Sequence, residues 1–302
     1  MKILNLGSLN IDKTYFVDTF VQPGETKAAH DVSISVGGKG LNQTVALCKA
    51  GSDIWHAGCI GANGLFIKDM LNEQGVHTEL IRQSKIRTGE ALIQVEASGQ
   101  NCIILDHGAN YDFTKEYVVE VLSKFEKGDL LILQNEINNV DAWIDLAYEK
   151  GLSIVLNPSP MDGLMKHVDL NKISYLILNE VEAKEITGKN SFDEMAEELI
   201  TRNSELKVVL TLGSEGGIYR TQNEKIRFGS CSVEVVDTTS AGDTFLGFFV
   251  ATISHGESAE DAIVTASKAS ALAVSRKGSF VSIPDYKEVM GVNSEPTVER
   301  IM

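Results

Sequence analysis

Cysteine is scarce in this sequence. The four that occur, Cys48, Cys59, Cys102 and Cys231, stand far apart, with no C-x-x-C among them. That spacing excludes a zinc-ribbon pattern and argues against a disulfide framework in a chain of this size. It predicts reduced, mostly buried thiols in a cytoplasmic protein. Positive charge is also in deficit: 27 Lys and Arg face 42 Asp and Glu, a formal net charge of −15. Such a balance disfavours a polyanion such as a nucleic acid as the main partner. It leaves room for small phosphates, which backbone amides and a few cations can hold. No apolar run is long enough to span a bilayer, the longest being FLGFFVATI. The opening MKILNLGSLNID turns polar too early for a signal peptide, so no membrane partner is expected. Two phosphate-loop fingerprints are missing as well. Neither Gly38-Lys39 nor Gly188-Lys189 is followed by Ser or Thr, so there is no Walker A loop. No G-x-G-x-x-G occurs, which disfavours a nicotinamide-dependent enzyme.

What is present is a rhythm. The 302 residues suit one large α/β domain, with or without a small appendage. From residue 129, apolar segments DLLILQNE, SIVLNPSP, ISYLILNE and LKVVLTLGSEG read as strands. The helical patterns NVDAWIDLAYEKG and SFDEMAEELITRN fall between them. Strands that are apolar throughout and alternate with helices predict a mostly parallel sheet covered on both faces. Each strand ends in hydrogen-bonding residues: Gln134 to Glu136, Asn157, Asn179 with Glu180, and Thr211 with Gly213. Ligands of open α/β sheets bind beyond the carboxyl ends of the strands, so one site is expected along that edge. Two regions break the rhythm. TYFVDTFVQPGETKAAHDVSISVGG is rich in β-branched and aromatic residues, and GEALIQVEASGQNCIILDHGAN reads as a hairpin around Ser98-Gly99. They predict a small β-sheet lid, at 13–36 and 89–108, inserted into a core of 1–12, 37–88 and 109–302. The residues after Val292 are expected to be loosely held.

Two glycine-rich stretches carry the chemistry. In VGGKGLNQTVALCKAG, glycines open a helix beside Lys39 and Asn42. Glycine lets a ligand touch the backbone, and an amide offers both a donor and an acceptor, which suits a polyhydroxylated ligand. A tight turn before a helix would explain the glycines equally well. In DTTSAGDTFLGFF, Asp237 or Thr238 can cap a turn, and Ser240-Ala241-Gly242-Asp243 can start a helix. Free amides and the helix dipole make such a start an anion site. Phosphoryl transfer needs donors of this kind, with a carboxylate to accept the alcohol proton. A plain N-cap aspartate with a small-residue packing contact is the competing reading.

Taken together and in order, GSLNID, PGET, GGKGLNQ, HGAN, LNPSP, NEVEAKEITG, TLGSEG, DTTSAGDTF and SRKG–SIP resemble the PfkB-type carbohydrate kinases, most closely the ribokinase branch. The resemblance covers almost the whole chain. It implies a three-layer, Rossmann-like α/β fold with the lid, and an ATP-dependent kinase acting on the primary hydroxyl of a pentose, foremost D-ribose. It implies Asp243 as general base, with Ala241 and Gly242 completing the anion hole. Asn10, Asp12, Gly38, Lys39, Asn42 and Glu136 match sugar-contacting positions. Asn179, Thr211, Gly213, Ser214, Gly216 and Gly242 match ATP-contacting ones. Glu182 matches a residue that positions Mg²⁺ through water. Asp237, Thr239, Ala273, Arg276, Gly278 and Ser282 match positions that hold a monovalent cation, K⁺, mostly through backbone carbonyls. A lid with an open apolar face implies a homodimer.

Three positions depart from the commoner pattern. Ser240 stands where Gly or Ala is usual. Leu41 is larger than usual, which is expected to reshape the sugar pocket. Ser267 is smaller than usual in the adenine pocket. Other acceptors stay open at this point: 2-deoxyribose, another pentose, a ketohexose or a nucleoside. So does a non-catalytic sugar or nucleotide sensor on the same fold.

Overall fold

The computed structural model describes residues 1–301. The chain begins with β1 (Ile3–Leu6), β2 (Asn10–Val17), β3 (Asp31–Gly37), α1 (Lys39–Lys49) and β4 (Ile54–Ala57). A short pair, β5 (Cys59–Ile60) and β6 (Arg82–Gln83), brackets α2 (Leu65–Glu73). Then come β7 (Gly89–Glu96), β8 (Asn101–Asp106), α3 (Lys115–Leu122), β9 (Leu130–Gln134) and α4 (Val140–Lys150). They are followed by β10 (Ser153–Asn157), β11 (Tyr175–Asn179), α5 (Glu180–Thr187), α6 (Phe192–Arg202) and β12 (Lys207–Thr211). The chain closes with β13 (Gly217–Arg220), β14 (Lys225–Phe228), α7 (Ala241–Ser254), α8 (Ala259–Val274), α9 (Tyr286–Met290) and β15 (Val298–Arg300).

The main sheet has nine strands in the order β15-β14-β13-β12-β11-β10-β9-β1-β4. From β12 to β4 every pair is parallel, and the three strands beyond β12 are antiparallel. Two apolar clusters lie on its opposite faces. One gathers α3 to α6, with Trp143, Ile144, Leu199 and Phe125. The other gathers α1, α7 and α8, with Leu41, Phe248, Phe249 and Ile263. That arrangement explains why the central strands are apolar on both sides: neither face meets water.

A second sheet, ordered β3-β2-β7-β8, stands apart from the first. Its strands begin at Asn10, three residues earlier than the composition suggested, because β2 pairs with both Gly37 and Gly89 from its first residue. The hairpin turns at Ser98-Gly99, where Gly99 has a φ of 85°.

Two expectations fail. The C-terminal residues are not loose: β15 pairs with β14, and Lys268 forms an ion pair with Glu295. A short strand of alternating charged residues simply carries little periodic signal. Nor are the thiols mostly buried. All four cysteines are free, yet Cys102 is exposed on a strand of the smaller sheet and Cys48 is half-buried. No helix among the described residues is long and apolar enough to cross a membrane.

Candidate active site

The strand ends and two helix starts meet in one place. Parallel pairing puts Asn157 beside Gln134 and Thr211 beside Asn179. Over that edge sit the first turns of α1 and α7. A polar cavity of about 240 Å³ opens there, lined by Lys39, Asn157, Asn179, Glu182, Thr211 and the segment Ser240–Asp243 among others. A second, largely apolar cavity of about 380 Å³ adjoins it and shares Thr211, Thr238, Ala241 and Gly242 with it. Gly213, Ser214, Gly216, Cys231 and Ser267 line this second space.

Asp243 is 7% exposed and stands in the first turn of α7. Asn42 Nδ2 donates to its Oδ2 across 3.1 Å, and Gln43 Nε2 to its Oδ1 across 2.9 Å. The helix begins abruptly because Ser240 adopts φ 61°, ψ 10°, the left-handed region. A non-glycine residue there costs on the order of 1–3 kcal/mol, a strain typical of functional turns. At this turn the Ala241 amide donates to the Thr238 carbonyl at 3.3 Å, and Ser240, Ala241, Gly242 and Asp243 line the polar cavity; a helix start opening on a cavity is the setting an anion site requires. A Cβ at Gly242 would meet nothing within 4 Å, so its backbone lies open to the cavity.

A second acidic group of residues lies at the start of α1. Glu136 Oε2 accepts the Lys39 amide at 2.8 Å and the Ser8 hydroxyl. Gly38 needs its φ of 96° to bring that amide round, and a Cβ there would crowd Ser8 Oγ at 2.9 Å. Burial pushes the Glu136 carboxyl up, and the charge of nearby Asp243 adds to it; Lys39 and the two hydrogen bonds oppose this without cancelling it. Burial pushes the Lys39 ammonium down, but Asp243, Glu136 and Glu182 more than offset it and hold the group above its usual range. Asp12 is pushed up to about 7 by burial and then by the charge of Glu136. Its Oδ1 is buried without a hydrogen-bond partner. Asn10 Oδ1 accepts from Asn110 Nδ2 at 2.7 Å.

Asn179 and Glu182 form a reciprocal capping box at the start of α5. Both Glu182 oxygens accept from Asn179, at 3.0 Å each, and the residue is 5% exposed. It is therefore not the solvated helix-start glutamate that its surroundings in the sequence suggest. Among the described residues no three His, Cys, Asp or Glu gather to hold a metal ion. A single, already bonded carboxylate beside a phosphate-sized cavity fits an ion carried in by the phosphates and touched through water.

Of the six positions matched to a monovalent cation, Thr239 and Gly278 bond directly to Asp237. Its Oδ1 accepts the Thr239 amide and hydroxyl, and its Oδ2 accepts the Gly278 amide at 2.9 Å. Partial burial pushes the carboxyl up, but these bonds and Lys277 prevail and hold it below the usual range. The Ala273 carbonyl accepts the Arg276 amide, and the Arg276 side chain turns away to Glu288. Ser282 is buried, its hydroxyl donating to the Ser279 carbonyl. Asp237 thus ties the segment before α7 to the loop after α8.

Leu41 is fully buried in the core with Leu9 and Val45, one helical turn away from the latter. Gln43, which sequence reasoning passed over, touches Asp243 alongside Asn42. A lone glutamine in a helix gives no signal of its own.

Residues 1–285 match the family described as pfkB family carbohydrate kinases. A ribokinase of Schizosaccharomyces pombe is 34% identical, with 96% of this chain and 97% of that one covered. The structure of a ribokinase from Thermotoga maritima is 32% identical with a TM-score of 0.87, covering 96% of this chain and 98% of that one. The structure of Arabidopsis thaliana ribokinase complexed with ribose and ATP is 28% identical with a TM-score of 0.84, covering 96% and 97%. The fold is ribokinase-like, and the chain belongs to the PfkB family of carbohydrate kinases.

Proposed function

We propose that the chain is an ATP-dependent kinase that phosphorylates the primary hydroxyl of D-ribose, giving D-ribose 5-phosphate. The observation that carries the reading is Asp243: a buried carboxylate at the first turn of α7, facing a polar cavity between the strand ends and α1. Near-full-length ribokinase relatives support the acceptor.

Sugar hydroxyls are assigned to Asn10, Asp12, Gly38, Lys39, Asn42 and Glu136. The unpartnered Asp12 Oδ1 and Asn42 Oδ1 are acceptors with no protein donor, which a polyol supplies. Asp243 takes the proton of the O5 hydroxyl as that oxygen attacks the γ-phosphorus. The amides of Ala241, Gly242 and Asp243 face the transferred group, where its charge is spread. The apolar cavity receives the base, with Gly213 and Gly216 keeping the loop at Thr211–Gly216 close to the phosphates and Ser214 and Asn179 beside it.

Magnesium entering with ATP neutralises the phosphates, and Glu182 is assigned to orient its water. A K⁺ ion is assigned to the loops at Asp237, Thr239, Ala273, Arg276, Gly278 and Ser282, where it would strengthen the anion hole by charge. The smaller sheet is assigned as a lid that excludes water from the sugar. Its outer row, Ile34, Lys13, Leu92 and Ile104 in register, exposes three large apolar side chains. That supports pairing of two lids in a homodimer.

ADP release measured across ribose, 2-deoxyribose, arabinose, fructose and adenosine tests the acceptor. Ribose is expected to give the highest kcat/KM. A preference for another acceptor would keep the mechanism and overturn the substrate.

A further inference from the structure

Three amide side chains lie buried between α1 and the main sheet, and the assigned chemistry uses none of them. Asn5, Gln43 and Gln134 are each at most 1% exposed. An unsatisfied buried polar group costs on the order of 1–3 kcal/mol, so amides in such places are bonded, and their bonds have direction. Here the bonds run outward from Gln134 in two branches. Asn5 Nδ2 donates to the Gly40 carbonyl across 3.0 Å. Gln134 Nε2 donates to Asn5 Oδ1 across 3.1 Å and to Gln43 Oε1 across 2.7 Å. Gln43 Nε2 then donates to Asp243 Oδ1 across 2.9 Å and to Asn157 Oδ1 across 3.2 Å. The branches end on acceptors: the Gly40 carbonyl on one, the Asp243 carboxylate and the Asn157 amide oxygen on the other. A flipped Gln43 would set its oxygen against the carboxylate and its NH₂ against the Gln134 NH₂, so each orientation is fixed by the chemistry of the ends.

Gln43 and Asn42 are neighbours on α1 and take one oxygen of Asp243 each. An ionised carboxylate has about four lone-pair sites, so two amides leave two of them free. The clamp needs α1 and α7 close together, and small residues allow this. A Cβ on Gly247 would lie 2.3 Å from the Ala46 Cβ, and one on Gly7 would lie 2.5 Å from Gln134 Oε1.

We infer that Gln43 is a positioning residue for the catalytic carboxylate: held by Gln134, it fixes the Asp243 side chain so that a free lone pair stays turned toward the sugar hydroxyl. The inference rests on Asp243 acting as the base. It separates orientation from binding. Gln43 is 1% exposed and both ends of its amide are taken up by Gln134, Asn157 and Asp243, so its loss should slow chemistry while leaving both substrates bound.

The test is steady-state kinetics of Gln43→Met, Asp243→Ala and the double variant, with ribose and Mg·ATP. Gln43→Met is expected to lose between about tenfold and a hundredfold in kcat, with both KM values within about twofold of the parent. Adding Gln43→Met to Asp243→Ala is expected to change the residual rate by less than about twofold, because its acceptor has gone. Gln134→Met, which frees Gln43 without altering α1, is expected to show the same pattern more weakly and guards against a misfolded Gln43 variant. An unchanged kcat in Gln43→Met, a loss appearing mainly in KM, or a further large drop on the Asp243→Ala background would overturn the positioning role. An Asp243→Ala enzyme with near-parent kcat would instead overturn the base assignment on which it rests.

Discussion

Asn42 Nδ2 and Asp243 Oδ2 lie 3.1 Å apart, joining the first turns of two helices that are 201 residues apart in the chain. The bond sets the two glycine-rich stretches against one another, so that the sugar side and the phosphate side share one buried carboxylate.

The first concerns pH. Asp12 is raised from 3.8 to about 7 in the fold. A carboxyl whose folded value is raised binds protons more tightly folded than unfolded, so its ionisation destabilises the free protein. The cost is absent below pH 3.8, grows through the window to about 7 and is complete above it. Asp12→Asn should therefore raise the Tm of the free protein more at pH 8 than at pH 5. Binding has the opposite sign: the ionised group accepts hydroxyls better, so the KM for ribose should fall as pH rises through 7. That dependence should flatten in Asp12→Asn. An equal Tm gain at both pH values would contradict the burial of this group.

The second separates charge from capping at Glu182. Glu182→Gln keeps an oxygen for the Asn179 backbone amide, so the Tm should shift little, whereas Glu182→Ala should lose the reciprocal half of the capping box, about 1 kcal/mol, while Asn179 still caps the backbone amide of residue 182. Both should need more Mg²⁺ for half-maximal rate. A Gln variant with an unchanged Mg²⁺ requirement would show that the residue only caps its helix.

The third addresses the lid. Ile34 is 66% and Ile104 65% exposed on one face of the smaller sheet. Ile34→Asp with Ile104→Asp should convert a dimer to a monomer in light scattering and weaken ribose binding. A parent protein that is monomeric at all accessible concentrations would remove the lid-to-lid contact from the account.

Much of this was legible in the sequence, for physical reasons that differ by element. The strands β9 to β12 are apolar throughout because both faces are covered, and their polar ends stood out against that background. Asp243 stood out because a carboxylate beside Ala241 and Gly242 fits an anion site. The antiparallel edge was not legible, since KIRF and VER are short and mix charge with apolar residues. The burial of Leu41 in the core was not legible either, because position in a motif does not tell which way a helical side chain points. The relay through Gln134 and Gln43 spans 91 residues, and a glutamine looks the same in sequence whether it meets water or a carboxylate.

The central claim is that Asp243 removes the proton from a ribose hydroxyl. The most direct measurement is ribose-dependent ADP release by the parent and by Asp243→Asn at saturating Mg·ATP, with ribose and ATP binding followed in parallel. The account predicts that the variant binds both substrates and loses at least about a hundredfold in kcat. Turnover within a few-fold of the parent would contradict it.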